Sequence, residues 1–184
     1  MKVYTEKDFK EIVTSLKNNN ILAIKTDTVF GIMALMSQDN EKRINELKQS
    51  SLDKKISIIV SDKDYLKRII DNITEEKAKL IDEKLPGKYT FIVELKDDFI
   101  KEKGFTRKDF GVRVTSNDFL QNIIKETGPL LASSCNISSL PPCKDTAEIK
   151  SQFKNTPLEI VAGEVTDNTP STIISIIGKI TVIR

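Results

Sequence analysis

Histidine does not occur anywhere in the 184-residue sequence. That absence excludes serine and cysteine hydrolases built on a histidine base, and imidazole acid–base chemistry near pH 7. Cysteine is scarce: Cys135 and Cys143 are the two present, with no C-x-x-C spacing. A zinc site would need carboxylates to complete it, so no metal is expected on protein side chains. Long apolar runs are missing too, and no stretch approaches the roughly 18 residues that span a bilayer. Lys2 is followed by Tyr4, Thr5, Glu6 and Asp8, which is not a secretory leader, so a cytoplasmic protein without membrane contact is expected. Arginine is sparse, limited to Arg43, Arg68, Arg107, Arg113 and Arg184. A net charge of +2 with 6% aromatics leaves only a weak electrostatic footprint for nucleic acid.

What is present is ordinary globular composition, 39% hydrophobic and 30% charged, in a length that suits one domain over residues 1–184. Thr5 and Asp8 have capping-box spacing ahead of Phe9, Ile12, Val13 and Leu16 on one helical face. Residues 21–24 and 56–60 read as buried strands, with a helix over 40–48 between them. Ser61 and Asp64 repeat the capping signal, and another helix follows Thr74 until Pro86-Gly87 stops it. Residues 89–95 have strand composition, 96–109 read as a charged surface segment, and 111–115 as a short strand before a helix carrying Phe119, Leu120, Ile123 and Ile124. Asp145 and Glu148 cap a further helix. Strands near 158–162, 172–177 and 180–183 close the chain, the last two joined at Gly178-Lys179 as a tight hairpin. Early alternation of helix and strand with a closing hairpin predicts an α/β protein with a mixed sheet.

Polar segments interrupt these buried strands where an open α/β sheet places ligands. Lys25-Thr26-Asp27-Thr28-Val29-Phe30-Gly31 offers two hydroxyls, a carboxylate and a turning glycine, and reads equally as a plain loop. Residues 48–55 hold three lysines, a pattern shared with solvated surfaces. Arg113 stands opposite Val112 and Val114 by strand alternation, either as a ligand contact or as an arginine snorkelling from an edge strand. Ser133-Ser134-Cys135-Asn136-Ile137-Ser138-Ser139 supplies donors suited to phosphate or carboxylate oxygens, though a serine-rich turn has the same composition. Pro170-Ser171-Thr172 is a fifth polar entry.

The order of these segments resembles the YrdC/TsaC family of threonylcarbamoyl-adenylate synthases. The family's P-T-D-T-V-Y-G-L is similar to Lys25 through Ile32, and its K-x-R-x-x-x-K aligns with Lys48, Ser50 and Lys54. Its P-G-P-x-T corresponds to Pro86 through Thr90, and its G-V-R-x-P to Gly111 through Thr115. Its S-A-N-x-S corresponds to Ser134 through Ser138, and its P-S-T to Pro170-Ser171-Thr172. The resemblance runs to Arg184, so the extra C-terminal domain of longer members is not expected. Here Lys25 replaces a proline, Phe30 a tyrosine, Ser139 a glycine, Lys55 a proline and Ser50 the arginine of K-x-R.

The resemblance implies a twisted, mixed, open β-sheet flanked by helices around a deep cavity. It implies synthesis of threonylcarbamoyl-AMP and pyrophosphate from L-threonine, bicarbonate and ATP with Mg²⁺. A downstream tRNA threonylcarbamoyl transferase complex would consume the product. Carbamate attack on the α-phosphorus needs no enzyme nucleophile, which suits a chain without histidine. By the same resemblance Lys48 and Lys54 hold phosphates with Lys55 assisting, and Ser134 and Asn136 touch the nucleotide. Arg113 meets carboxylate or phosphate oxygens, and Thr28 and Ser171 hold threonine. Asp27 reads as a cap of its own loop, and Cys135, where the family has alanine, as packing. Two competing readings are a degenerate relative that binds RNA weakly or a nucleotide without turnover, and a carbamoyl-adenylate domain like that of hydrogenase-maturation carbamoyltransferases.

Overall fold

A computed structural model describes residues 1–166 and 169–184. Its strands are β1 (Val3–Tyr4), β2 (Leu22–Lys25), β3 (Phe30–Leu35), β4 (Ser57–Val60), β5 (Tyr89–Glu94), β6 (Asp109–Val114), β7 (Leu130–Ser134), β8 (Glu159–Val161), β9 (Thr172–Ser175) and β10 (Thr181–Val182). They form one sheet in the order β1-β8-β2-β3-β7-β4-β6-β5-β9-β10. Pairing is mixed: β1–β8, β8–β2, β4–β6 and β5–β9 are parallel, and the other neighbours antiparallel. The helices are α1 (Phe9–Lys17), α2 (Gln38–Leu47), α3 (Lys63–Ile69), α4 (Glu75–Lys84), α5 (Asp97–Glu102), α6 (Asp118–Thr127) and α7 (Thr146–Gln152).

Most helix starts follow the capping chemistry in the sequence. Asp8 reaches back to the Thr5 amide at 2.7 Å, Thr74 accepts from Lys77 and Asp145 accepts from Glu148. Three readings change. Asp62, not Ser61, caps α3, taking the Tyr65 amide at 2.6 Å while the Ser61 hydroxyl donates to Asp62. The charged stretch 96–109 contains α5, because Ile100 and Phe105 are drawn into the core despite their charged neighbours. The closing hairpin forms, but residues 176–180 connect its strands, with Gly178 at φ 65.

The two sheet faces have different fates. On one, Ile58, Val60, Phe91, Val93, Val112 and Val114 pack with Ile44 of α2, Leu66 of α3, Ile81 of α4 and Ile100 of α5. On the other, α1 and α6 cover only part of the sheet, through Ile12, Leu16, Leu120 and Ile123 against Leu22, Met33, Ile59 and Leu130. Each such fully buried side chain contributes about 1.5–3 kcal/mol. Beyond these helices the same face carries Gly31 opposite Ser134, Ala132 opposite Ser57, and Arg113 in register with Ile59. Large apolar side chains thus give way to small and polar ones along one face, and a cavity opens there.

Candidate functional site

The cavity measures about 280 Å³ and is lined from seven parts of the chain. Thr26, Thr28 and Val29 come from the β2–β3 turn and Gly31 from β3; Lys54, Lys55, Ile56, Ser57 and Ile59 lead into and along β4. Thr90 belongs to β5, Arg113 to β6, and Ala132, Ser133 and Ser134 to β7. Pro170, Ser171, Ile173 and Arg184 complete the wall. Gly111 packs against the lining residue Ser57, whose hydroxyl a Cβ at that position would overlap.

Arg113 is the best-held cation of the cavity. It lies on an interior strand between β4 and β5, which removes the edge-strand reading. Only 6% exposed, it donates from Nε to the Gly87 carbonyl at 2.9 Å and from Nη1 to Thr28 Oγ1 at 2.6 Å. Gly87 presents that carbonyl from a turn at φ +148, a conformation glycine tolerates. Nη2 stands 2.7 Å from Asp27 Oδ1, an ion-pair distance, yet its N–H meets no acceptor in hydrogen-bonding geometry among the described residues. A buried guanidinium with a donor to spare is suited to an incoming carboxylate or phosphate oxygen.

Asp27 serves as the counter-ion. Burial would raise its carboxyl, but the Arg113 charge and the Thr115 and Ser116 hydroxyls, at 2.5 and 2.9 Å, outweigh this and hold it below the ordinary range. Asp27 therefore ties two loops together and does not cap its own. Thr26 takes that task, donating to the Val29 carbonyl at 2.7 Å and accepting from the Thr28 and Val29 amides.

The other sequence-derived candidates separate into two groups. Thr28, Lys54, Lys55, Arg113, Ser134 and Ser171 line the cavity, whereas Lys48 and Asn136 lie outside its lining. Lys54 is exposed. Lys55, also exposed, pairs with Asp109, and Ser171 shares a 2.8 Å hydrogen bond with Thr90. Lys48 is 2% exposed; its ammonium donates to the Ser134 carbonyl and to Asn136 O and Oδ1 at 2.8 and 3.1 Å. Its own carbonyl accepts from the Ser138 amide at 2.7 Å, so Lys48 pins the 134–138 loop from behind. Burial pulls its pKa down to about 8. Asn136 is likewise spent on its loop, accepting from Ser134 at 2.6 Å and donating to Ile137 and Leu140 carbonyls. Ser50, at the missing arginine, bonds Asn45 Oδ1 at 3.0 Å.

A family model described as Telomere recombination, the Sua5/YciO/YrdC domain, matches residues 14–184. The chain belongs to the Sua5/YciO/YrdC family. A relative from Aliivibrio fischeri named Threonylcarbamoyl-AMP synthase is 30% identical over 172 residues, covering 90% of this chain and 92% of its own. The crystal structure of E. coli YciO superposes with a TM-score of 0.83 at 21% identity, covering 100% of this chain and 92% of that one. P. abyssi Sua5 complexed with L-threonine gives 0.87 at 21% identity over 100% of this chain, which spans 57% of the Sua5 chain. At these identities the structural likeness establishes the fold: a mixed sheet flanked by helices.

Three lining residues had no signal of their own in the sequence: Ser57, Ser133 as distinct from its serine neighbours, and Arg184. Arg184 reaches the cavity because its backbone pairs with Ile173, its guanidinium donating to the Ser171 carbonyl at 3.2 Å. Among the described residues no group of acidic, cysteine or histidine side chains could hold a metal ion. No helix among them is long and apolar enough to cross a membrane.

Proposed function

We propose that this chain is an L-threonylcarbamoyladenylate synthase, joining L-threonine, bicarbonate and ATP into threonylcarbamoyl-AMP with release of pyrophosphate. The observation that carries the reading is the charge of the cavity. Lys54, Lys55, Arg113 and Arg184 line it together with seven hydroxyl side chains, and among the described residues no Asp or Glu does so. Such a wall suits a polyanion and a free carboxylate. The curated relatives matched over 90% of the chain carry this activity in their names, and the Sua5 structure holds L-threonine.

In this reading the Arg113 Nη2 donor takes the threonine carboxylate, with Thr28 and Ser171 beside it. Lys54, Lys55 and Arg184 face the triphosphate, and Ser134 meets the nucleotide. Lys48 and Asn136 bear on ATP through the loop they hold. The threonine amine and bicarbonate give a carbamate with loss of water; the carbamate oxygen attacks the α-phosphorus and pyrophosphate leaves. The protein supplies alignment and charge, with no covalent intermediate on the chain. The donor set is cationic and hydroxylic, and Asp27 is already engaged, so it does not suit Mg²⁺ on side chains. In this reading the ion arrives on the ATP phosphates. A tRNA threonylcarbamoyl transferase complex is the proposed consumer of the adenylate, and the cytoplasm the proposed compartment.

Pyrophosphate release by purified protein tests the proposal. It should require ATP, L-threonine and bicarbonate together. Equal release without threonine would point to another acceptor. No release at all, with ATP still bound, would favour the reading in which Ser50, turned toward Asn45, marks a nucleotide-binding relative without turnover.

A further inference from the structure

We infer that Cys135 and Cys143 are a modification site: a dithiol that peroxide converts reversibly into an intramolecular disulfide across the loop behind the cavity. The inference stands on this loop's geometry and is independent of the proposed reaction.

Both cysteines are free and fully buried. They are eight positions apart, yet the chain brings them side by side: the Cys143 amide donates to the Cys135 carbonyl at 2.8 Å. A backbone amide and carbonyl joined at 2.8 Å leave their two Cα atoms about 4.5–6.5 Å apart, inside the about 4.4–6.8 Å that a disulfide bridges. Both side chains enter the same apolar core cluster.

The surroundings also favour the chemistry. The Lys48 ammonium acts on both sulfurs and favours thiolate at each. The pair is asymmetric. Cys135 draws the Cys143 thiol down, while Cys143 and burial push Cys135 up. Cys143 also follows the exposed 139–141 stretch, so in this inference it is the attacking sulfur and Cys135 the resolving one. Access comes from one side: Ser139, Leu140 and Pro141 directly precede Cys143's segment and are exposed, with Ser139 at φ 72. In this inference local opening of that surface stretch is the route by which hydrogen peroxide reaches the buried pair.

The step balances without another reactant. The Cys143 thiolate attacks one peroxide oxygen and expels hydroxide, leaving a sulfenic acid. The Cys135 sulfur then attacks the sulfenic sulfur and water departs. Two thiols and one peroxide become one disulfide and two waters. The bridge closes 135–143 into a ring behind Ser134, which lines the cavity.

The test uses the whole chain, treated with hydrogen peroxide, quenched and alkylated under denaturing conditions. Both cysteines fall in one tryptic peptide, residues 126–144. That peptide should appear unalkylated and lighter by two hydrogens, and dithiothreitol should restore two alkylations. In Cys135→Ala the remaining Cys143 should instead accumulate sulfenic and sulfinic acid. Should that variant misfold, the wild-type peptide alone decides. Full alkylation after peroxide, sulfinic acid in the wild type, or a disulfide linking two chains would each overturn the inference.

Discussion

Arg113 Nη1 donates to Thr28 Oγ1 across 2.6 Å, joining β6 to a turn 85 positions earlier in the chain. With the Gly87 carbonyl on Nε and Asp27 beside Nη2, the guanidinium fixes two loops at the cavity, the β2–β3 turn and the turn before β5. Arg113→Ala leaves Asp27 buried without its counter-ion, a loss of about 3–5 kcal/mol in stability. Arg113→Lys keeps the charge but loses the planar fork. It should fold and raise the threonine requirement at least about tenfold, a difference of about 1.4 kcal/mol. Initial rates of pyrophosphate release against threonine concentration check this, and an unchanged requirement would remove Arg113 from the threonine site.

Lys48 gives a pH signature that does not depend on activity. Burial holds its folded pKa near 8, below the ordinary 10.5. Between those values the unfolded chain binds more protons than the folded one, so stability from this group rises with pH across that window. Below pH 8 the full penalty of keeping the ammonium charged is present, and above about 10.5 it is gone. The stability of the wild type minus that of Lys48→Met should therefore increase by about 2–4 kcal/mol from pH 7.5 to 10.5. Urea unfolding of both proteins across that range measures it. A flat difference would mean that Lys48 is not held as described.

The strands and most helix caps were legible because they depend on local chemistry: an apolar run, or Thr74 and Asp145 before a helix. Helix α5 was not, since Ile100 and Phe105 are isolated among charges and become core only through long-range packing. The site divides in the same way. Arg113, Thr28 and Thr90 stand in recognisable short motifs, but Ser57 enters through strand register, which no local pattern carries. The resemblance names Asn136 as a nucleotide contact; in the fold its side chain bonds Ser134, Lys48, Ile137 and Leu140. Residue type was readable, and the direction of the side chain was not.

The reduced cysteines act as packing. Replacing Cys135 and Cys143 together by alanine should leave turnover within about threefold while stability falls by about 1–2 kcal/mol. Pyrophosphate assays and thermal unfolding of the same preparation separate the two effects. A hundredfold loss of turnover in a folded variant would give the thiols a direct part in the reaction.

The lysine segment distinguishes a phosphate wall from a solvated surface. Lys54 and Lys55 both line the cavity, but Lys55 already has Asp109 as a partner, and Ser50 faces Asn45 outside the lining. Exposed lysines interact weakly with one another and with solvent ions, so removing them matters only where a ligand supplies concentrated negative charge. Lys54→Ala should raise the ATP requirement about tenfold. Lys55→Ala should have a smaller effect, because part of its charge is spent on Asp109. Ser50→Arg should leave activity unchanged or improve it, since arginine adds a charged fork where serine has one neutral donor. Initial rates against ATP concentration rank the three variants. Equal and unaltered kinetics in both lysine variants would mean that the triphosphate lies elsewhere, and would leave Arg113 and Arg184 as the cations that meet it.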